Sequence, residues 1–469
     1  MSQKRETTVL LLSLLMTLGV IGGGLWWLTK DKQSSNPTET IESAGKPQST
    51  KSTFDQKQIS TGNKLLISQD TTPQKQKAVQ AIANANYSEA VSQLEQSLKI
   101  KRNDPEALIY LNNARIGDNK AYSIAVPVPV GTDMTTAKEI LRGVAQAQDE
   151  INQQGGINSV PLKVIIANDD NNPKSAKEIA QNFVKSQDIV GVVGHFSTGV
   201  TLAAAPIYQK HGLVAISPTS TSVALSDLGD YIFRTVPSDR FSGNTLSKYM
   251  LEKLNQRQAA IIYNSQSDYS KSLRDAFTTN SVGDGGEIVT ETDLSQGNFN
   301  PAETLQSAAS NGAEVLVFLD DSTTLDKAFL LMQLNNRQLP MLAGDSFYRP
   351  QTLQILGEKA AGLVVSVPWH ISGNTNPNFP DAARRLWGGD VSWRTAMAYD
   401  ATKALAAGLA NSPSRQGIQQ TLSQSGFSFD GASGTVKFLP SGDRNWAVQL
   451  VKVQPGNRSS YGYDFVPVY

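Results

Sequence analysis

Val190-Gly191-Val192-Val193-Gly194-His195-Phe196-Ser197-Thr198-Gly199-Val200-Thr201 is the stretch on which the fold turns. A β-branched run ends in Gly194, small hydroxyl residues follow, and an apolar segment, 202–208, comes next. That order reads as a buried parallel strand, a tight turn and the first turn of a helix. The first N–H groups of a helix have no intrahelical acceptor, and the helix dipole adds partial positive charge there. Such a turn suits a carboxylate or phosphate. Ser197 and Thr198 are its candidate ligand contacts, with a plain helix cap as the alternative role.

Outward from this turn the same grammar repeats. Strands are expected over 122–130, 162–168, 189–193, 214–216, 259–263, 287–291, 315–319, 341–343 and 362–367. Helices are expected over 136–153, 174–186, 198–209, 241–254, 269–279, 301–311, 325–334, 349–356 and 395–409, and a β-rich stretch over 434–453 closes the series. Repeated strand–helix units with short loops define an α/β fold whose parallel sheets are covered on both faces. The strands are too many for one comfortable sheet, which implies two lobes.

The segments before this domain differ in character. Residues 7–28 form an uncharged apolar run of bilayer-spanning length, preceded by Lys4 and Arg5 and carrying Trp26 and Trp27 near its end. This pattern fits an uncleaved signal anchor over residues 1–30 with its N-terminus inside; a cleaved signal peptide is the alternative. Both readings export the rest of the chain. Residues 31–70 are rich in Ser, Thr, Gln, Asn and Lys and read as a flexible linker. From 71 to 118, apolar residues return at helical spacing, and Asn103-Asp104-Pro105 opens a third helix. The Tyr87-x-x-Ala90-x-x-x-Leu94 pattern followed by Asn103-Asp104-Pro105 resembles a tetratricopeptide unit. A helical hairpin that caps the next domain or packs on another subunit competes with a peptide-binding groove.

Composition excludes several functions. The 469 residues carry 42 basic and 42 acidic side chains, a formal net charge of zero, so no basic face points to nucleic acid. The absence of cysteine removes disulfides, thiolate chemistry, thiolate metal sites and cysteine lipidation. The three histidines, His195, His211 and His370, lack metal-ligand spacing, and His195 reads as a structural histidine behind a buried strand. No serine-nucleophile elbow, zinc-protease helix or P-loop occurs, so no catalytic residue, metal or cofactor is expected and the chain reads as a non-enzyme.

Six stretches together resemble the type I periplasmic binding proteins, in particular the leucine/isoleucine/valine receptors of ABC transporters. They are 149–157, with its Gln154-Gly155-Gly156-Ile157 turn; Asp169-Asp170-Asn171-Asn172-Pro173; Ile216-Ser217-Pro218-Thr219-Ser220-Thr221; Ala398-Tyr399-Asp400-Ala401; Gly434-Thr435-Val436-Lys437-Phe438 with Gly442-Asp443; and the opening turn itself. The match spans about 121–455, leaving 456–469 as a tail. It implies two Rossmann-like lobes joined by three crossings near 235–240, 366–369 and 437–446. Lobe one is expected over 121–237 and 368–436, and lobe two over 238–366 and 440–453.

The resemblance also implies a ligand clamp. Thr198 aligns with the family's carboxylate-binding hydroxyl, beside Ser197. Ser220 and Thr221 align with the loop that supplies a carbonyl and a hydroxyl. Asp345 aligns with the acid that pairs with the ligand's ammonium, and Tyr269 with a tyrosine of lobe two. The first loop, 131–136, departs from the family in having Asp133 in place of an aromatic residue, and Asp320 and Asp321 stand at a strand end usually small or aromatic. Extra acid there favours a polar or cationic ligand over leucine. Trp369 and His370 are candidates for the hinge or cleft.

The expected function is therefore extracytoplasmic capture of an amino acid or similar small zwitterion by two-lobe closure, delivered to an ABC permease or a sensor. The expected anchorage is the N-terminal helix in the cytoplasmic membrane, with the helical hairpin as a protein contact. Two other readings stay open. One is a non-transport scaffold resembling the lipoprotein activator of a peptidoglycan synthase, with the missing cysteine against it. The other is a ligand-sensing receptor subunit.

Overall fold

The computed structural model describes residues 58–69, 71–373 and 378–468. The apolar run 7–28 and most of the expected linker lie outside these residues. Among the described residues, no helix is long and apolar enough to cross a membrane.

Two sheets organise the chain. The first contains β1 (Ile59–Ser60), β2 (Tyr122–Val128), β3 (Leu162–Asn168), β4 (Ile189–Val193), β5 (Val214–Ser217) and β6 (Ile232–Arg234), in the order β1-β3-β2-β4-β5-β6. Its strands are parallel except for the antiparallel edge pair β1–β3. The second contains β7 (Gln258–Tyr263), β8 (Glu287–Asp293), β9 (Val315–Phe318), β10 (Met341–Ala343) and β11 (Val364–Val367), parallel throughout. A small hairpin, β12 (Phe429–Gly431) and β13 (Gly434–Val436), belongs to neither sheet. Two further strands, β14 (Gln449–Pro455) and β15 (Tyr463–Pro467), then extend the second sheet antiparallel beyond β11. Central strands such as β9, Val-Leu-Val-Phe, are buried at every residue, as a parallel strand covered on both faces requires. The edge strand β8 carries Glu287, Thr290, Glu291 and Thr292 and is nowhere fully buried, and its polar side chains blunt an open edge.

The chain passes between the sheets three times: after β6, after β11 and after β13. Buried arginines tie these passages. Arg234 Nε donates to Asp443 Oδ1 at 2.7 Å and its Nη1 to the carbonyls of Thr221 and Ser222. Arg444 pairs with Asp400 at 3.4 Å and donates to Thr235 O. Helices 134–153 and 393–411 pack so closely that a Cβ on Gly143 would stand 2.1 Å from Thr395 O. The second of these helices follows the second passage, so lobe one is assembled from segments some 250 residues apart.

Two structural departures from the sequence reading concern the chain's margins. Residues 59–60 pair with β3, and Ile67 is buried, so part of the expected linker belongs to the folded domain. The apolar Ile59, Leu65, Leu66 and Ile67 supply what the polar stretch before them lacks. The expected tail, 456–469, contains β15, held by ladder bonds to β14. The three helices Pro73–Ala83, Tyr87–Ile100 and Pro105–Ile116 form a layer on lobe one. Lys75, 1% exposed, pairs at 2.7 Å with both Asp104 and Glu106, and Asn113 Nδ2 donates to Val164 O of β3 at 2.7 Å.

Candidate functional site

The turn after β4 opens the site. Gly194 has φ +150°, and a Cβ there would meet Pro127 Cγ at 2.7 Å, so glycine is required where β4 leaves the sheet. Behind the turn, His195 Nδ1 bonds Asp169 at 2.6 Å and Nε2 bonds the Tyr208 hydroxyl at 2.9 Å, a wholly buried structural arrangement. The carbonyls that face away from the helix are clamped. His195 O accepts from Ser217 Oγ at 3.0 Å, and Phe196 O accepts from Thr219 Oγ1 at 2.6 Å and Ser220 Oγ at 3.1 Å. The loop 217–220 thus orients the turn, leaving the N–H end of helix Thr198–Lys210 toward the cleft.

A cavity of about 510 Å³ lies there, between the two lobes. Four of the six residues expected from sequence line it: Ser197, Thr198, Tyr269 and Asp345. Thr198 is 1% exposed, and its Oγ1 has no hydrogen-bond partner. Ser197 Oγ donates to Asn171 Oδ1 at 2.5 Å. On the lobe-two side, Tyr269 donates its hydroxyl to Asp345 Oδ1 at 3.0 Å. Burial pushes the Asp345 carboxyl up to about 6, against the opposing pull of Arg394, the Tyr269 hydroxyl and Arg349. Burial and the neighbouring Asp345 hold the Tyr269 phenol well above its ordinary range.

Ser220 and Thr221 do not line the cavity; Thr219 does. Ser220 Oγ is engaged with Thr201 Oγ1 at 2.7 Å as well as Phe196 O, so it serves the turn. Thr221 lies at the first passage between lobes. Its carbonyl accepts from the Asp239 N–H at 2.8 Å and its hydroxyl sits beside the Asp239 carboxyl, which burial raises to about 7. Trp369 is 1% exposed against Phe379, and His370 lines a separate cavity of about 330 Å³, so neither belongs to this cleft.

Of the acids at 320–321, only Asp321 lines the cavity. Asp320 is wholly buried, and burial drives its carboxyl well up. Asp321 lines the cavity, yet its Oδ1 already accepts from Thr323 N at 3.0 Å, Thr323 Oγ1 at 2.6 Å and Asn264 Nδ2 at 3.2 Å.

Two arginines complete the wall. Arg349 pairs across the lobes with Asp133 at 3.5 Å, and Arg394 pairs with Glu139 at 3.2 Å while donating to Tyr348 O and Asp345 O. Sequence reading missed both. Neither carries a local signal: the helix Trp393–Asn411 also holds Asp400 and Lys403, so one more charge does not stand out. Among the described residues, no cluster of His, Asp or Glu could hold a metal ion.

A two-lobe α/β chain with a polar cleft at the strand ends defines a ligand-binding class. The family model described as "Periplasmic binding protein" matches residues 122–457, and the chain belongs to that family. Its members are solute-binding proteins, not enzymes. The Leu/Ile/Val-binding protein of Escherichia coli (strain K12) is 32% identical over 225 residues, 47% of this chain and 53% of that protein. An amino acid binding protein of Pseudomonas aeruginosa is 29% identical over 189 residues, 40% of this chain and 50% of that protein. The chain thus spans about half the length of these curated relatives. Among solved structures, an ABC transporter substrate-binding protein from Desulfitobacterium hafniense superposes with a TM-score of 0.63 at 26% identity, over 74% of this chain and all of that one. A leucine-binding protein from Thermotoga maritima superposes with a TM-score of 0.65 at 20% identity, over 74% of this chain and 97% of that one, which supports the fold alone.

Proposed function

We propose that this chain captures an amino acid or similar small zwitterion between its lobes and delivers it to an ABC-type permease outside the cytoplasmic membrane. The observation that carries the reading is the pairing of unmet demands across one cleft. Thr198 offers a buried hydroxyl without an acceptor at a helix N-terminus. Asp345 offers a buried carboxyl, bonded to the Tyr269 hydroxyl and raised by burial, that an added cation would hold ionised. An α-carboxylate at the first and an α-ammonium at the second meet both demands at once. Residues 7–28 would anchor the chain, and the helical layer over 73–116 would contact a partner. Each charge-assisted bond contributes about 1.5–3 kcal/mol, so the two ends together support micromolar binding.

Ligand contacts to both lobes are complete only when the walls meet, so binding favours that arrangement. The unmet polar groups support ligand capture over a pure scaffold, for which no cleft group needs a partner. Calorimetric titration of the protein with the twenty amino acids tests the reading. At least one should bind with micromolar affinity and raise the thermal midpoint. Binding by none of them would defeat it.

A further inference from the structure

The cleft holds more hydrogen-bond donors than one carboxylate satisfies. One donor group is the Thr198 hydroxyl with its helix terminus. A second consists of Arg349, Trp393 and Arg394, all lining the same cavity. Trp393 and Arg394 are each 2% exposed, and both Trp393 Nε1 and Arg394 Nε lack a hydrogen-bond partner. The other Arg394 nitrogens are taken by Glu139, Tyr348 O and Asp345 O. Arg349 donates from Nε to Ser346 O at 2.9 Å and sets Nη1 against Asp133. Buried N–H groups without acceptors are costly and uncommon, and at a cleft wall they mark where a ligand supplies the oxygen.

The other cleft groups argue the same way. Asp321 is consumed by Thr323 and Asn264, and Asp268 is paired with Lys271 at 2.9 Å. Of these three acids, Asp345 is the buried one. The lining residues with extended apolar surface are Pro173, Phe196, Tyr269 and Trp393, and no Val, Leu, Ile or Met side chain of the described residues lines the cavity. An α-carboxylate at Thr198 leaves the arginine–tryptophan group unmet.

We propose that the ligand's side chain ends in an oxygen acceptor, a carboxylate or an amide carbonyl, seated against Arg349, Trp393 and Arg394. This rests on the amino-acid reading above. The preferred ligands are then acidic amino acids or their amides, not leucine, isoleucine or valine.

The test is calorimetric titration of the protein with L-glutamate, L-glutamine and L-leucine, repeated on Arg349→Met. The better of glutamate and glutamine should bind at least tenfold more tightly than leucine, and which one it is distinguishes carboxylate from amide. Losing the Asp133 pair across the lobes weakens every ligand alike, so the readout is the difference: Arg349→Met should cost that ligand at least tenfold more than it costs leucine. Leucine binding as tightly as both, or all three weakening equally in Arg349→Met, overturns the inference and leaves amino-acid capture standing. Binding of none of the twenty amino acids overturns both.

Discussion

The two walls of the cleft are built on different principles. The lobe-one turn after β4 meets the cavity with Phe196, Ser197, Thr198 and Gly199, none of them charged, and the hydroxyls behind it are turned onto the carbonyls of His195 and Phe196. The lobe-two wall is charged, with Asp345 buried beside Tyr269 and Arg349 reaching across to Asp133. A neutral, prebonded wall fixes a seat without storing electrostatic cost. A buried carboxylate stores such cost until a cation arrives. On the proposed reading, the turn after β4 anchors the ligand, and Asp345 with the arginines discriminates.

The strongest challenge to this division is to remove the cation that spans the walls. Arg394→Met leaves Glu139 buried without its partner and should destabilise the protein by about 3–5 kcal/mol, read as a shift in the denaturation midpoint. A neutral effect would mean that the walls are independent of this bridge. Next comes Asp345→Asn. It should weaken amino-acid binding by about 2–3 kcal/mol, roughly 30- to 150-fold, in calorimetry.

The pH dependence sharpens the same point. The folded Asp345 carboxyl, raised to about 6, binds its proton more tightly than the unfolded chain does. Its contribution to the stability of the protein alone is therefore full below the ordinary carboxylate range and is lost as pH rises toward about 6. Ligand affinity runs the other way. An ammonium needs the carboxylate, so affinity should fall by up to about tenfold per unit below about pH 6 and level off above it. Asp345→Asn should flatten that slope.

The smallest effect belongs to the neutral wall. Thr198→Val removes a hydroxyl that has no protein partner, so the thermal midpoint without ligand should stay unchanged. Affinity should fall by about 1 kcal/mol, roughly fivefold. A loss of stability instead would assign Thr198 to the helix cap.

The sequence made legible what is local. The β4 run, Gly194 and the hydroxyl residues after it form one strand–turn–helix unit. Asp345 follows β10 directly, and both arise from short-range pattern. Ser220 and Thr221 read as ligand contacts because the loop 217–221 is rich in hydroxyls, and pattern alone does not say which way each one turns. Ser220 turns to Phe196 O, and Thr221 lies at the passage between lobes with its carbonyl taken by the Asp239 N–H. Arg349 and Arg394 were not legible, because their partnership comes from chain passages that bring residue 394 back against residues 139, 345 and 348. The same holds for β1 and β15, short edge strands whose order depends on a neighbour already in place.

The central claim is that opposite walls grip opposite ends of one zwitterion. Its most direct test compares the best-binding amino acid with its N-acetyl derivative by calorimetry, on the wild-type protein and on Asp345→Asn. The account predicts that acetylation, which removes the ammonium, costs the wild type at least thirtyfold and costs Asp345→Asn little. An equal loss in both proteins would contradict it.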